Sequence, residues 1–196
     1  MNVAVIFAGG TGQRMNTKVT PKQFLEVHGK PIIIYTLEQF EEHDEIDGIV
    51  IVCLVDWIDH LKKLLSKFGI RKVKEIVPGG ETGQMSIFAG ISKAHELFSD
   101  DDFVLIHDGV RPFIDENSIE VLAEDTAKYG ACVLGVFAKD TIKICDENGF
   151  VVDTPNRKLL WHAQTPQCFK YDVIKKAYEK AKKDNYLGTD DSMLVE

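Results

Sequence analysis

The chain has 196 residues, 44% of them hydrophobic and 28% charged, with 23 Lys and Arg against 31 Asp and Glu for a formal net charge of -8. One domain spanning residues 1–196 is expected, since a chain this long buries its apolar surface without disulfide or metal staples. The acidic balance argues against nucleic acid, whose binders draw affinity from Lys and Arg displacing counterions, and no apolar run approaches the length that spans a bilayer.

The chain opens on a strand-like run, Val3 to Phe7, with no basic leader or long apolar h-region before it, so a cytoplasmic location is expected. Further β-rich apolar runs fall at Gly48–Val55, Val73–Val77, Phe103–His107 and Ala131–Phe137. Segments of helical period alternate with them at Pro31–Glu41, Trp57–Phe68, Met85–Leu97, Glu116–Tyr129 and Tyr171–Asp184. This pattern predicts an α/β fold, doubly wound, with a mostly parallel sheet covered on both faces. One region departs from it. Thr141–Cys145 and Phe150–Thr154 are short extended runs joined by Asp146-Glu147-Asn148-Gly149, and Asn-Gly is a hairpin turn signal. The reading is a hairpin arm at about residues 139–160, either projecting toward a ligand or second subunit or lying on the surface. Four cysteines (Cys53, Cys132, Cys145, Cys168) form no C-x-x-C pair and read as buried, reduced thiols.

Ligands of doubly wound sheets sit at the carboxyl ends of the strands. Three polar or glycine-rich segments fall there: Ala8 to Arg14, Pro78-Gly79-Gly80, and Asp108-Gly109-Val110-Arg111-Pro112. The first, Ala8-Gly9-Gly10-Thr11-Gly12, lets backbone amides approach an anion closely, and read alone it is either a phosphate nest or a tight strand-to-helix turn. It matches neither the P-loop nor the dinucleotide fingerprint. Arg14 and Lys22 follow it, and with Lys18 and Lys30 they make a basic spot in an acidic chain. A guanidinium and an ammonium beside such a nest can neutralise a triphosphate and the charge building on departing pyrophosphate.

Asp108 ends a buried-looking strand, where a carboxylate needs a metal or a donor. Magnesium coordination is one reading; a turn aspartate with Arg111 as its ion-pair partner is the other. His107 reads as orienting this loop, since no other histidine or cysteine stands at ligand spacing. No Ser/His/Asp or Cys/His arrangement is legible. An acceptor that is itself a phosphate would need no general base, because its oxygen is already anionic.

Together these segments resemble the cytidylyltransferases that act on 2-C-methyl-D-erythritol 4-phosphate and their relatives acting on ribitol 5-phosphate. The resemblance runs through most of the chain, through Ala8 to Met15, Pro21-Lys22-Gln23-Phe24, Pro78 to Gly80, His107 to Pro112, Asp140-Thr141-Ile142-Lys143, Thr154 to Arg157, Trp161 to Gln167, and Thr189-Asp190-Asp191. It implies a homodimer whose hairpin arm reaches the partner's site, CTP and a small polyol phosphate as substrates, and Mg2+. Arg14, Lys22 and Arg157 would be catalytic. Phe7, Ala8, Gly9, Gly10, Thr11, Gly12, Gly80, Glu81, Ser86 and Gly109 would hold the nucleotide. Asp108, Arg111, Thr141, Arg157, Thr165 and Thr189 would face the acceptor, with Asp108 near the metal. Methylerythritol phosphate is the favoured acceptor, ribitol 5-phosphate or another capsule or wall polyol phosphate the alternative, and a nucleotide-binding module without turnover the reading of a different class. The chain departs from the family in having Gly83 near a position usually occupied by arginine. The family's C-terminal strand and helix, with an acceptor-binding lysine, are expected to be absent from residues 1–196.

Overall fold

The computed structural model describes residues 1–10, 20–97 and 102–196. In chain order the elements are β1 (Asn2–Ala8), the two-residue strands β2 (Glu26–Val27) and β3 (Lys30–Pro31), α1 (Ile32–Glu42), β4 (Gly48–Cys53), α2 (Ile58–Phe68), β5 (Val73–Pro78), α3 (Gly83–Leu97), β6 (Phe103–Asp108), α4 (Glu116–Tyr129) and β7 (Ala131–Phe137). There follow β8 (Ile144–Cys145), β9 (Val151–Asp153), β10 (Trp161–Lys170), α5 (Tyr171–Lys183) and α6 (Ser192–Val195). A six-stranded sheet runs β5-β4-β1-β6-β10-β7, with β2-β3 and β8-β9 as separate pairs.

Alternation along the central strands explains the two layers. On β1, Ala4, Ile6 and Ala8 point into one core with Ile49, Ile51 and Cys53 of β4, where α1, α2 and α4 contribute Ile33, Leu37, Phe40, Leu61, Ile119 and Leu122. Val3 and Val5 point the opposite way with Val50, Val52 and Val104, beneath Ile91 of α3 and Ile174 and Tyr178 of α5. Strands covered on both faces must be apolar at every position, and all six residues of β4 are buried. Helix α3 lies directly on the sheet at Gly90, where a Cβ would stand 2.6 Å from both Val5 and Val52 side chains. Only glycine permits that approach without displacing the helix.

β1 pairs in parallel with β4 and β6, and β4 with β5. The chain therefore winds outward from β1 to β5 and returns through α3 to β6 on the other side of β1. The order reverses between β1 and β6, so their carboxyl ends, Ala8 and Asp108, border the crevice at the switch point.

The expected strands and helices are all present, most within a residue or two of the bounds the sequence suggests. Strand β10 is the longest element that apolar patterning missed; the two-residue strands β2 and β3 and the four-residue α6 are the others. Strand β10 inserts between β6 and β7, antiparallel to both, and its sequence, WHAQTPQCFK, has an exposed half followed by a buried half and a proline in the middle. That mixture gives neither clean alternation nor an apolar run. The hairpin strands are also shorter than expected. Residues 141–143, Phe150 and Thr154 lie outside them, while Asp146 closes the turn by accepting from the backbone N–H of Asn148 and Phe150, each at 2.9 Å. Among the described residues no helix is long and apolar enough to cross a membrane.

All four cysteines are unpaired. Burial pushes the Cys53 thiol up to about 11 and that of Cys168 to about 12. Cys145 corrects the expectation of burial: it is exposed, because the hairpin that carries it stands off the sheet.

Candidate active site

Three loops meet at the carboxyl ends of β1, β5 and β6. Gly79 packs beside the first loop, where a Cβ built on it would lie 3.8 Å from the Gly9 Cα. From the other side the Gly109 N–H donates to the Phe7 carbonyl at 2.9 Å. A Cβ at Gly109 would stand 3.2 Å from that same oxygen, so the residue identity sets how closely the β6 loop approaches β1. Thr36 of α1 fixes it further by donating its hydroxyl to the Gly109 carbonyl at 3.1 Å.

Gln23 organises the first loop. Its side chain is buried, and its Nε2 donates to the Ala8 carbonyl at 2.6 Å and the Gly10 carbonyl at 3.2 Å. The neighbouring Phe24 ring stacks on Trp57, with centroids 4.7 Å apart. The short turn Lys22–Phe24 is thereby pinned through Gln23 and Phe24, so the backbone of Lys22 adjoins the amide that holds the loop, and no ion pair to Lys22 occurs among the described residues. Lys30 does not belong to this basic spot, contrary to the sequence reading, because its ammonium sits 2.7 Å from the Glu38 carboxylate. Thr11, Gly12 and Arg14, expected at the nucleotide, and Lys18 lie outside the described residues.

In the β5–α3 loop Thr82 caps α3, its hydroxyl accepting from the Met85 N–H at 3.1 Å. Ser86, expected to contact nucleotide, is buried, and its hydroxyl accepts from the Gly80 N–H at 2.9 Å and donates to the Thr82 carbonyl at 2.7 Å. It therefore shapes the loop from behind. Glu81 is exposed at the loop's tip. Gly83 opens α3 with open space where a Cβ would stand, so no steric demand dictates glycine there.

On β6, His107 is buried against the Phe40 ring at 5.1 Å, and its Nε2 lies 3.0 Å from the Arg111 carbonyl. Burial pulls its pKa down to about 4, so at neutral pH the ring is uncharged and Nε2–H is the donor. The loop this holds carries Asp108 and Arg111. Arg111 Nε donates to Asp108 Oδ2 at 2.7 Å and Arg111 Nη1 to Gln164 Oε1 at 2.9 Å. A half-exposed ion pair of this kind contributes little stability. What it does is fix both groups at the crevice mouth. The Asp108 N–H donates to the Thr165 hydroxyl at 3.3 Å, bringing β10 into the same cluster.

The structure thus joins Phe7, Ala8, Gly9, Gly10, Gly80, Ser86 and Gly109 in one loop assembly, and Asp108, Arg111 and Thr165 in an adjoining one. Thr141 and Arg157 stand on the hairpin arm, both exposed. Arg157 Nη1 donates to the Lys139 carbonyl at 2.8 Å, and Lys143 Nζ to the Thr154 hydroxyl at 2.9 Å. No hydrogen bond among the described residues links Thr141 or Arg157 to Asp108, Arg111 or Thr165. Thr189 precedes α6, where Asp191 is buried and hydrogen-bonded to the Tyr178 hydroxyl. Burial pushes the Asp191 carboxyl up to about 6 against the pull of the Tyr178 hydroxyl, with the negative charges of Asp190 and Asp108 adding to the rise.

Among the described residues, one group of metal-ligating types clusters elsewhere, His43 with Glu116 and Glu120. The His43 Nδ1 accepts from the Glu45 N–H at 3.2 Å and its Nε2 faces the Glu116 carbonyl at 3.3 Å. The ring has no lone pair left for a cation.

This arrangement has known counterparts. The family described as IspD, 2-C-methyl-D-erythritol 4-phosphate cytidylyltransferase, matches residues 2–196. The chain belongs to the IspD family. It is accordingly a nucleotidyltransferase. It is 48% identical over 192 residues, 98% of the chain and 81% of the relative, to a ribitol-5-phosphate cytidylyltransferase of Vibrio parahaemolyticus. It is 46% identical over 195 residues, 100% of the chain and 83% of the relative, to a 2-C-methyl-D-erythritol 4-phosphate cytidylyltransferase of Clostridium botulinum. Among solved structures, the 4-diphosphocytidyl-2C-methyl-D-erythritol synthase of Anaerococcus prevotii superposes with a TM-score of 0.85 at 34% identity, covering 99% of this chain and 80% of that one. The IspD-family fold accounts for β10, whose inserted position brings Gln164 and Thr165 to Asp108 and Arg111.

Gln23, Thr36 and Thr82 are the positioning residues that pattern reading passed over. Each carried a signal: Gln23 lies inside a motif noted for its lysine, Thr36 is a lone polar residue on the apolar face of α1, and Thr82 stands at N-cap spacing before a helix.

Proposed function

We propose that the protein transfers the cytidylyl group of CTP onto a small polyol phosphate. The observation that carries this is the meeting of the Gly9, Gly79 and Gly109 loops at the β1/β6 switch point, with Lys22 held beside them and the Asp108–Arg111–Thr165 cluster adjoining. Backbone amides of the first loop would take the triphosphate. An acceptor phosphate oxygen attacks the α-phosphorus, a new P–O bond forms, the bond to the β-phosphate oxygen breaks, and pyrophosphate leaves. Lys22, with Arg14, would neutralise the charge that accumulates on the departing group. The acceptor oxygen is an anion at neutral pH, so the step needs no proton acceptor. That agrees with His107, which is buried, uncharged and committed to the Arg111 carbonyl.

Asp108 fits a magnesium ion. It is a partly exposed carboxylate with Oδ2 on Arg111 and Oδ1 unbonded among the described residues, and magnesium commonly takes one or two carboxylates plus substrate phosphates and water. When bound, the ion would supply further charge neutralisation on the phosphates.

The arm at residues 139–160 would pair two copies of the chain and carry Thr141 and Arg157 to the partner's acceptor site. What supports this is its outward apolar surface: Phe150 is 70% exposed and Leu159 76% exposed, in company with Val151 and Val152. Several large exposed apolar groups on one short arm are the composition of an interaction site. Cytoplasmic residence follows from the same reading, CTP being the substrate.

Methylerythritol phosphate is the favoured acceptor. Ribitol 5-phosphate is a second reading, supported by the 48% identity to the Vibrio relative. Pyrophosphate release from CTP and magnesium, measured with each acceptor separately, tests the proposal; the true acceptor gives the higher kcat/KM. Thermal stabilisation by CTP with no pyrophosphate from either acceptor would replace it with a nucleotide-binding module.

A further inference from the structure

Two polar side chains behind the acceptor cluster have no part in the chemistry above and are bonded at every oxygen and nitrogen they offer. Gln167 lies on β10, buried, two residues beyond Thr165. Its register partner on β6 is Ile106, which places Thr165 opposite Asp108. The Gln167 Nε2 donates to Asp190 Oδ2 at 3.1 Å, and its Oε1 accepts from the Ser192 N–H at 2.9 Å. Asp190 Oδ1 in turn accepts from the Ser192 hydroxyl at 3.1 Å and the Met193 N–H at 3.0 Å. The turn of residues 189–193 is therefore bolted to β10 through one amide and one carboxylate, with Thr189 at its leading edge.

We infer that Gln167 and Asp190 are positioning residues for the acceptor, a partly buried clamp that fixes Thr189 relative to Thr165 and Asp108. The inference rests on the proposed function for what binds there, but the clamp itself is geometry. A surface turn needs no buried amide to begin a helix, and Asp190 already accepts from the Met193 N–H in the first turn of α6. The second carboxylate oxygen, facing Gln167, is what ties that cap to the strand carrying Thr165. Gln167 is buried and Asp190 half-buried, so an unmatched donor or acceptor between them would force the turn away from β10.

The chemistry allows a direct test, because the pair can be exchanged. Gln167→Glu alone sets a carboxylate oxygen against Asp190 Oδ2, two acceptors with no proton between them. Asp190→Asn alone sets an amide N–H2 against the Gln167 N–H2, two donors with no acceptor. In the double variant Glu accepts from the Ser192 N–H and from the Asn amide, while the Asn oxygen keeps the Ser192 hydroxyl and Met193 N–H. Net charge and every hydrogen bond are restored.

Steady-state kinetics on the full chain with magnesium, CTP and whichever of the two polyol phosphates the wild type turns over would read the cycle. Each single variant is expected to raise the acceptor KM on the order of tenfold while the CTP KM stays put, and the double variant to return the acceptor KM toward wild type. Unchanged acceptor KM in both singles, equal changes for CTP and acceptor, or a double variant no better than the worse single would overturn the inference. If a single variant does not fold, the double decides alone: a wild-type acceptor KM supports the clamp and a raised one refutes it. Should the wild type turn over neither acceptor, the functional proposal fails, and amide exchange at Ser192 and Met193 still judges the clamp. Protection lost in each single and regained in the double supports it; protection unchanged in the singles sinks it.

Discussion

Acid should undo the fold in part through His107. Its ring is buried against Phe40, and burial lowers its pKa from 6.5 to about 4. The unfolded chain, with the ordinary value, binds a proton at this residue through the whole window between 6.5 and 4 while the folded chain does not. The sign is therefore fixed: the contribution is complete above pH 6.5 and is lost progressively as pH falls toward 4. A gap of about 2.5 units corresponds to about 3 kcal/mol in total, of which about 2 kcal/mol disappears between pH 7.5 and 5. The Asp191 carboxyl, pushed up to about 6, titrates in the same range, so the comparison needs a variant that keeps the hydrogen bond without the titration. His107→Gln does so, since its amide can donate to the Arg111 carbonyl. Urea unfolding of both proteins at the two pH values gives the difference directly. The wild type is expected to exceed the variant at pH 7.5 and to lose about 2 kcal/mol of that advantage by pH 5. An advantage that stays constant to within about 0.5 kcal/mol would refute the reasoning, because it would mean that the folded protein protonates this ring as readily as the unfolded chain does.

Two further outcomes follow from the site and the arm. Lys22→Ala should lower kcat by about a hundredfold or more, the usual cost of removing one group that stabilises transition-state charge. Its thermal midpoint should barely move, as the lysine is partly exposed while Gln23 and Phe24 anchor the turn; a large fall in midpoint with kcat intact would make Lys22 structural. Phe150→Ser together with Leu159→Ser should convert a dimer to a monomer in light scattering and reduce turnover with it, since Arg157 would no longer reach a partner's site. A dimer of unchanged mass would show that the arm is not the contact.

Much of this protein was legible because its central strands are covered on both faces. That condition makes β1, β4 and β6 continuous apolar runs, and it puts glycines and polar residues where the strands end. The same logic puts the three loops on one edge of the sheet from the sequence alone. Strand β10 escaped because it changes environment halfway, from the exposed Trp161–Ala163 to the buried Pro166–Phe169. A period-based reading needs one environment per element. Ser86, expected at the nucleotide by resemblance, also braces its own loop through the Gly80 N–H and the Thr82 carbonyl, a role that no sequence pattern announces. Lys30 was grouped with Lys22 by proximity along the chain, whereas Glu38, one turn into α1, claims its charge. Gln23 shows the opposite case: beside a lysine in a polar motif a buried amide draws no notice, yet it holds the loop after β1 in shape.

The central claim is the class of bond made and broken. Following the 31P spectrum of the wild-type protein with CTP, magnesium and either methylerythritol phosphate or ribitol phosphate tests it most directly. Cytidylyl transfer predicts that the triphosphate and phosphomonoester signals fall together while those of a CDP-linked diphosphate ester and of pyrophosphate rise in equal amounts. Appearance of CDP with orthophosphate, or of CDP with a doubly phosphorylated polyol, would place the cleavage at the γ-phosphate and contradict the account.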